Sequence, residues 1–248
     1  MIGTEKYMSN FTFFKTRGGS GVIRGDQIAQ KLGAKINPKK GYENDTCIYV
    51  KLKPPEIYPK KSYLDIIDGA RRISWLKTHK DMGIIASSLA SKEYLKGKLK
   101  RNIVLIPQHH CNYDNEISRG DKVGMVGKMS SMRNPEVRKL FHVYKFKTRE
   151  DVVNAYKELK IQVIWRNVYL PLKNPLKIIN AASFGIPTVA YPEYAFKEVE
   201  GYYWAVKTVD EMVATVNELK DGFDRNRLIK LAKNYHIDKI ADMYRTLL

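Results

Sequence analysis

Short apolar runs alternate along the chain with longer amphipathic stretches, and glycine, proline or polar clusters separate them. Asn10-Phe11-Thr12-Phe13-Phe14-Lys15 predicts a buried strand, Arg17-Gly18-Gly19-Ser20-Gly21 a glycine loop, and Val22 to Leu32 a helix closed by Gly33. Ala34–Asn37, Thr46–Val50 and Tyr63–Gly69 continue as strands, followed by Gly83–Ser88, a helix from about Ser91 to Lys98, and Asn102–Pro107. Ile117-Ser118-Arg119-Gly120-Asp121 is polar and reads as a linker, after which the pattern restarts. Lys122–Gly127 is a new first strand, Met132–Phe141 its helix, and Val143–Phe146, Arg149–Leu159 and Ile161–Trp165 follow as strand, helix and strand. After Tyr203–Val206, helices from Val209 to Leu219 and from Arg225 to the C-terminus finish the sequence. Alternation of this kind implies parallel sheets with helices on both faces.

The most informative stretch runs from Asn174 to Ala190. Pro175 supplies the fixed φ of a first helical turn, Gly185 suits the residue just past a helix end, and Thr188–Tyr191 resumes as a short apolar strand. Lys177 and Asn180, three apart, share a face of the first turns. This segment resembles the nucleotide-binding signature of GT-B glycosyltransferases, in which a helix is closed by Ala-x-x-Gly-x-Pro. The resemblance departs at Leu172 and Asn180, where retaining members carry two glutamates, and Asn180 is expected to keep a hydrogen bond to ribose.

With the restart near residue 118 and the closing helices around Ala232–Ala241, the resemblance spans nearly the whole chain. It implies an α/β fold of two Rossmann-like domains facing each other across a cleft, residues 1–117 on the acceptor side and 118–248 on the nucleotide-sugar side. It also implies a metal-independent transfer from a nucleotide-sugar such as a UDP-sugar, with no cofactor beyond that co-substrate, in a trimmed member of the family. The glycine spacing Gly19-x-Gly21-x-x-x-Gly25 is not the dinucleotide fingerprint, which disfavours NAD, and no Tyr-x-x-x-Lys pair supports an epimerase.

Ligands of open α/β sheets sit beyond the carboxyl ends of the strands, and the candidate residues lie there. The Gly18, Gly19, Ser20, Gly21 loop offers backbone N–H groups to a phosphate or sugar hydroxyl. Asp68, with Asp65 behind it, is the expected general base, and His109 and His110 follow the last strand of the first half, one as a base and the other toward donor phosphate. Gly127 and Lys128, Arg166 and Lys177 form a predicted diphosphate clamp.

Composition adds one strong constraint. The 248 residues carry 44 Lys and Arg against 26 Asp and Glu, a formal charge of +18, which predicts a polyanionic partner. DNA, as in phage-type DNA-modifying enzymes, is the first expectation. An anionic membrane surface is the second, with Lys51–Lys61 and its Ile57 and Tyr58 as the local candidate. A non-catalytic nucleic-acid-binding α/β protein is the rival reading. Cys47 and Cys111 have no metal spacing and read as reduced thiols, and the absence of a signal-type apolar segment predicts a cytoplasmic location, peripheral to a membrane or associated with DNA.

Overall fold

A computed structural model describes residues 10–68, 72–127, 132–167 and 169–248. The chain divides into two compact units: residues up to Gln108 with Pro171–Asn174 and Ile237–Leu248, and His109–Leu170 with Pro175–His236. The boundary therefore falls at Gln108/His109 and not between Ile117 and Ser118, and the last segment belongs to the first unit.

Unit 1 is built on a six-stranded sheet, β1 (Phe11–Lys15), β2 (Lys35–Ile36), β3 (Thr46–Val50), β4 (Ser62–Ile66), β5 (Gly83–Ala86) and β6 (Val104–Leu105), all parallel in the order β2-β1-β3-β4-β5-β6. Every residue of β3 is buried, as a central parallel strand requires. The predicted first helix is present, with a difference: α1 (Gly19–Gly21) runs through a π-helical stretch (Val22–Gln27) into α2 (Ile28–Leu32), and Gly33 closes it in the left-handed conformation. α3 (Ile73–Thr78) and α4 (Leu89–Leu99) follow. Ser88 caps α4, accepting from the Ser91 N–H while the Ser91 hydroxyl accepts from the Ser88 N–H.

Unit 2 holds a five-stranded sheet, β7 (Lys122–Val126), β8 (His142–Tyr144), β9 (Leu159–Ile164), β10 (Thr188–Ala190) and β11 (Trp204–Ala205), parallel in the order β11-β10-β9-β7-β8. Its helices are α5 (Pro135–Leu140), α6 (Arg149–Glu158), α7 (Leu176–Ser183), α8 (Val209–Asp221) and α9 (Arg225–Ala232). The predicted linker is not one. Ser118 is buried, its hydroxyl donates to the carbonyls of Leu159 and Lys157, and its N–H bonds Phe184 O, so the segment is stitched into unit 2.

The single C-terminal helix expected from Arg225 onward is broken. A 3₁₀ turn (Lys233–Tyr235) and the extended His236 separate α9 from α10 (Ile237–Arg245), which returns to unit 1. Its anchor is Tyr244, whose ring meets Phe13 edge-on at 5.6 Å and whose hydroxyl donates to Asp65 at 3.0 Å. With Ile237, Ile240 and Ala241 buried on the same helix, that contact ties the terminal segment to the first unit.

Candidate functional site

In unit 2, β7 is flanked by β8 on one side and β9 on the other, so the chain reverses its direction of winding there. Ligands of such sheets bind beyond the carboxyl ends at this switch point. At that place Lys177, from the first turn of α7, reaches back and donates through Nζ to Val126 O, the last residue of β7, at 2.8 Å. Gly127 comes next, and a Cβ there would collide with the Lys177 ammonium. Glycine at 127 is thus what lets the ammonium sit at the strand end. Two predicted donor residues, Gly127 and Lys177, are brought together.

Farther along the same edge, Arg166 after β9 grips Glu193 after β10. Its Nε lies 3.0 and 2.9 Å from the two carboxylate oxygens, and Nη2 closes the fork. Both side chains are largely buried, so Arg166 is committed to a charge partner and does not extend a clamp. Trp165 and Tyr191, at the ends of β9 and β10, pack their rings at 5.1 Å beside this pair.

The carboxyl edge of unit 1 carries a different cluster. Asp68 lies just past β4 with φ of 65°, and Lys51 just past β3 with φ of 55°, both in the left-handed region that costs a side-chain-bearing residue energy. The Asp68 carboxylate accepts from Lys51 Nζ at 3.1 Å and Lys173 Nζ at 2.6 Å, and its N–H bonds Leu172 O. Arg72 donates to the Lys51 carbonyl. Burial pushes the Asp68 pKa up, but Lys173 and Lys51 outweigh it and hold the carboxyl below its usual range. Ser88 donates to Lys173 O at 2.8 Å, and Asn174 donates to Gln108 at 2.7 Å, fixing the segment that presents Lys173.

No protein-family model matches the chain, and no curated protein does. Solved structures do, at low identity. HepE from Anabaena in complex with UDP-glucose superposes with a TM-score of 0.66 over 96% of this chain and 98% of its own, at 10% identity. A glycosyltransferase from Rickettsia africae gives 0.62 over 97% and 99%, at 11% identity. Against a chain of the GtfA/B complex the TM-score is 0.52 at 11% identity; 97% of this chain spans 57% of that longer one. The fold is that of the GT-B glycosyltransferases.

Within this GT-B fold, the two positions where the sequence lacks the glutamates serve packing. Leu172 is buried in the core of unit 1. Asn180 is buried, accepts from the Cys111 N–H at 3.0 Å and hydrogen-bonds Tyr156, so it braces the start of unit 2 and is not presented to a ribose. Asp65 is 0% exposed, receives Arg24 Nε at 2.6 Å and Tyr244, and is a structural ion-pair member, which removes it as a base. His109 and His110 belong to unit 2 and are both buried. The His109 ring nitrogen lies 3.0 Å from His110 O and 3.3 Å from the Tyr113 hydroxyl. Burial, aided by His236, His109 and Arg149, lowers the His110 pKa to about 3, so neither a charged grip on phosphate nor proton shuttling near neutrality suits it.

The glycine loop stands at the start of α1. Gly18 has φ of 95°, and a Cβ on Gly21 would strike the Thr16 carbonyl, whereas Gly19 faces open space and Ser20 is half-buried. Lys128 lies outside the described residues. The sequence pattern did not single out Glu193 or Lys173, and it named Lys51 only as the first residue of the basic Lys51–Lys61 stretch, although Lys51 directly follows β3 and was open to the same strand-end argument.

Proposed function

We propose that the chain is a glycosyltransferase that binds a nucleotide-sugar donor on unit 2 and transfers the sugar, without a metal ion, to an acceptor hydroxyl held by unit 1. The observation that carries the reading is the Lys177 ammonium placed against Gly127 at the β7/β9 switch point. A donor diphosphate at that edge gains a charge-assisted hydrogen bond from the Lys177 ammonium, which occupies the space a side chain at 127 would fill. As the glycosidic bond breaks, negative charge builds on the leaving diphosphate, and a fixed cation there is stabilising where charge grows. HepE, which shares the fold, is seen with UDP-glucose, which supports a UDP-sugar as the first donor to test.

On the acceptor side, Lys51, Lys173 and Asp68 form the polar group at the edge of unit 1. We assign Asp68 the task of holding the two ammonium groups. A carboxyl whose pKa is driven down by two lysines is a weak proton acceptor, because a general base works best with a pKa near the working pH. The two lysines and the charge of +18 support an acceptor that is itself anionic or carried by a polyanion.

Calorimetry with UDP and with UDP-glucose tests the donor reading. Lys177→Ala is expected to weaken binding by about 1 to 3 kcal/mol, the size of a lost charge-assisted hydrogen bond. Unchanged affinity takes Lys177 out of the site, and absence of nucleotide binding by the parent protein overturns the reading.

A further inference from the structure

We infer that the crossover between β3 and β4 of unit 1 is a docking surface for an anionic lipid bilayer. It deepens the reading of unit 1 as the acceptor side by naming the polyanion. Ile57 is 91% exposed, an extreme value for a residue whose transfer out of water is favourable. The loop does not hold it out by looseness. Pro54, Pro55 and Pro59 stiffen the segment, Pro54 is buried, and Ser62 Oγ donates to Pro59 O at 2.6 Å. Next to Ile57, Tyr58 donates to Asp81 at 2.9 Å, and its ring lies 6.2 Å from Trp75 and 6.4 Å from His79, which stack on each other at 3.9 Å. An exposed aliphatic prong thus stands beside a cluster of amphipathic rings, the residue types that settle at a membrane–water interface.

Charge completes the pattern. Lys53 and Lys60 flank the prong, are exposed, and make no ion pair among the described residues; Lys77 and Lys80 are exposed around the end of α3. Glu56 is the acidic residue of the loop. Lysines at an anionic surface each add attraction that fades within a Debye length, and the apolar prong supplies the short-range part. The phosphate backbone of DNA offers the same lysines a partner but gives Ile57 and the ring cluster nothing to enter, so the observations favour a bilayer. No helix among the described residues is long and apolar enough to cross a membrane, and the contact inferred is interfacial.

The test is flotation of the full chain with phosphatidylcholine vesicles, with and without roughly one-third phosphatidylglycerol, at about 0.15 M ionic strength. The protein should float with the anionic vesicles and not with the neutral ones. Ile57→Glu should cut partitioning by about tenfold or more, and the Lys53→Glu, Lys60→Glu pair by about tenfold or more. Ile57→Ser, which adds no charge, should show most of the Ile57→Glu loss. A parent protein that stays with the soluble fraction overturns the proposal. So does flotation indifferent to Ile57, or tighter binding to duplex DNA that is unchanged by Ile57→Glu. UDP binding measured on the same samples reports on unit 2, so failure of the donor reading and failure of the docking surface are separable.

Discussion

His110 shows what one buried side chain does to the pH response of this molecule. Its ring is buried beside His236, whose centroid lies 5.5 Å away, and its Nδ1 is buried without a hydrogen-bond partner among the described residues. Its pKa, near 3 in the folded state, lies below the ordinary histidine value of about 6.5 expected when unfolded. Between these two values the unfolded chain takes up a proton that the folded chain refuses, so stability falls as pH drops below about 6.5. Urea unfolding at about pH 7 and pH 5 should differ by about 2 kcal/mol less in His110→Gln than in the parent. An unchanged difference would show that His110 is charged in the fold. Asp68 acts in the same direction at lower pH: its lowered pKa adds stability that is present above its unfolded pKa and lost as pH falls through the folded value. Asp68→Asn should leave UDP binding intact and raise the acceptor KM as Lys51 and Lys173 lose their tether. A collapse of kcat at unchanged KM would restore Asp68 as the base.

At the scale of elements, α10 is joined to the sheet of unit 1 through a buried ion pair. Arg24, in the π-helical stretch, is 0% exposed; it gives Nε to Asp65 at 2.6 Å and Nη1 to the carbonyls of Ile106 and Pro107, each at 2.8 Å. Tyr244→Phe should cost about 1 to 3 kcal/mol by taking a donor from a buried carboxylate, and Asp65→Ala about 3 to 5 kcal/mol by leaving Arg24 uncompensated. Equal, small losses in denaturant melts would mean that the pair is not shielded from water. None of this is legible in the sequence, because Asp65 lies 41 residues from Arg24 and 179 from Tyr244, and no local pattern links them. The motif from Asn174 to Ala190 is legible because its signals act locally. Gly185 sits at φ of 68° just past α7, as its position implies, while Pro175 lies one residue outside the helix it was expected to open. The strand-end rule led to Gly127, Lys177 and Asp68, which the fold sets just past β7 and β4. It could not show that Asp65, Asn180 and Arg166 are taken up by Tyr244, the Cys111 amide and Glu193, since residue type says nothing about whether such a partner waits in the fold.

For the whole molecule, the return of α10 makes unit 2 an insertion within unit 1. The order in which the ribosome delivers the chain is therefore not the order in which the units can be completed. Residues up to Gln108 emerge first, yet Asp65 and Arg24 wait for Tyr244. Translation at about 5 to 20 residues per second puts that wait at roughly 7 to 27 s, the time for the 244 − 108 = 136 residues from Gln108 to Tyr244. Nascent chains truncated after His236 and carried clear of the exit tunnel on an appended flexible linker should show a protease-resistant unit 2 and a cleavable unit 1. Release of the full chain should then protect both. Equal resistance of unit 1 in the truncated chains would show that the terminal helix is dispensable for closing it. During that wait, the nascent first unit has an unfinished core and a highly basic surface near ribosomal RNA, so the late arrival of one helix defines a window in which this chain is exposed to capture and misfolding.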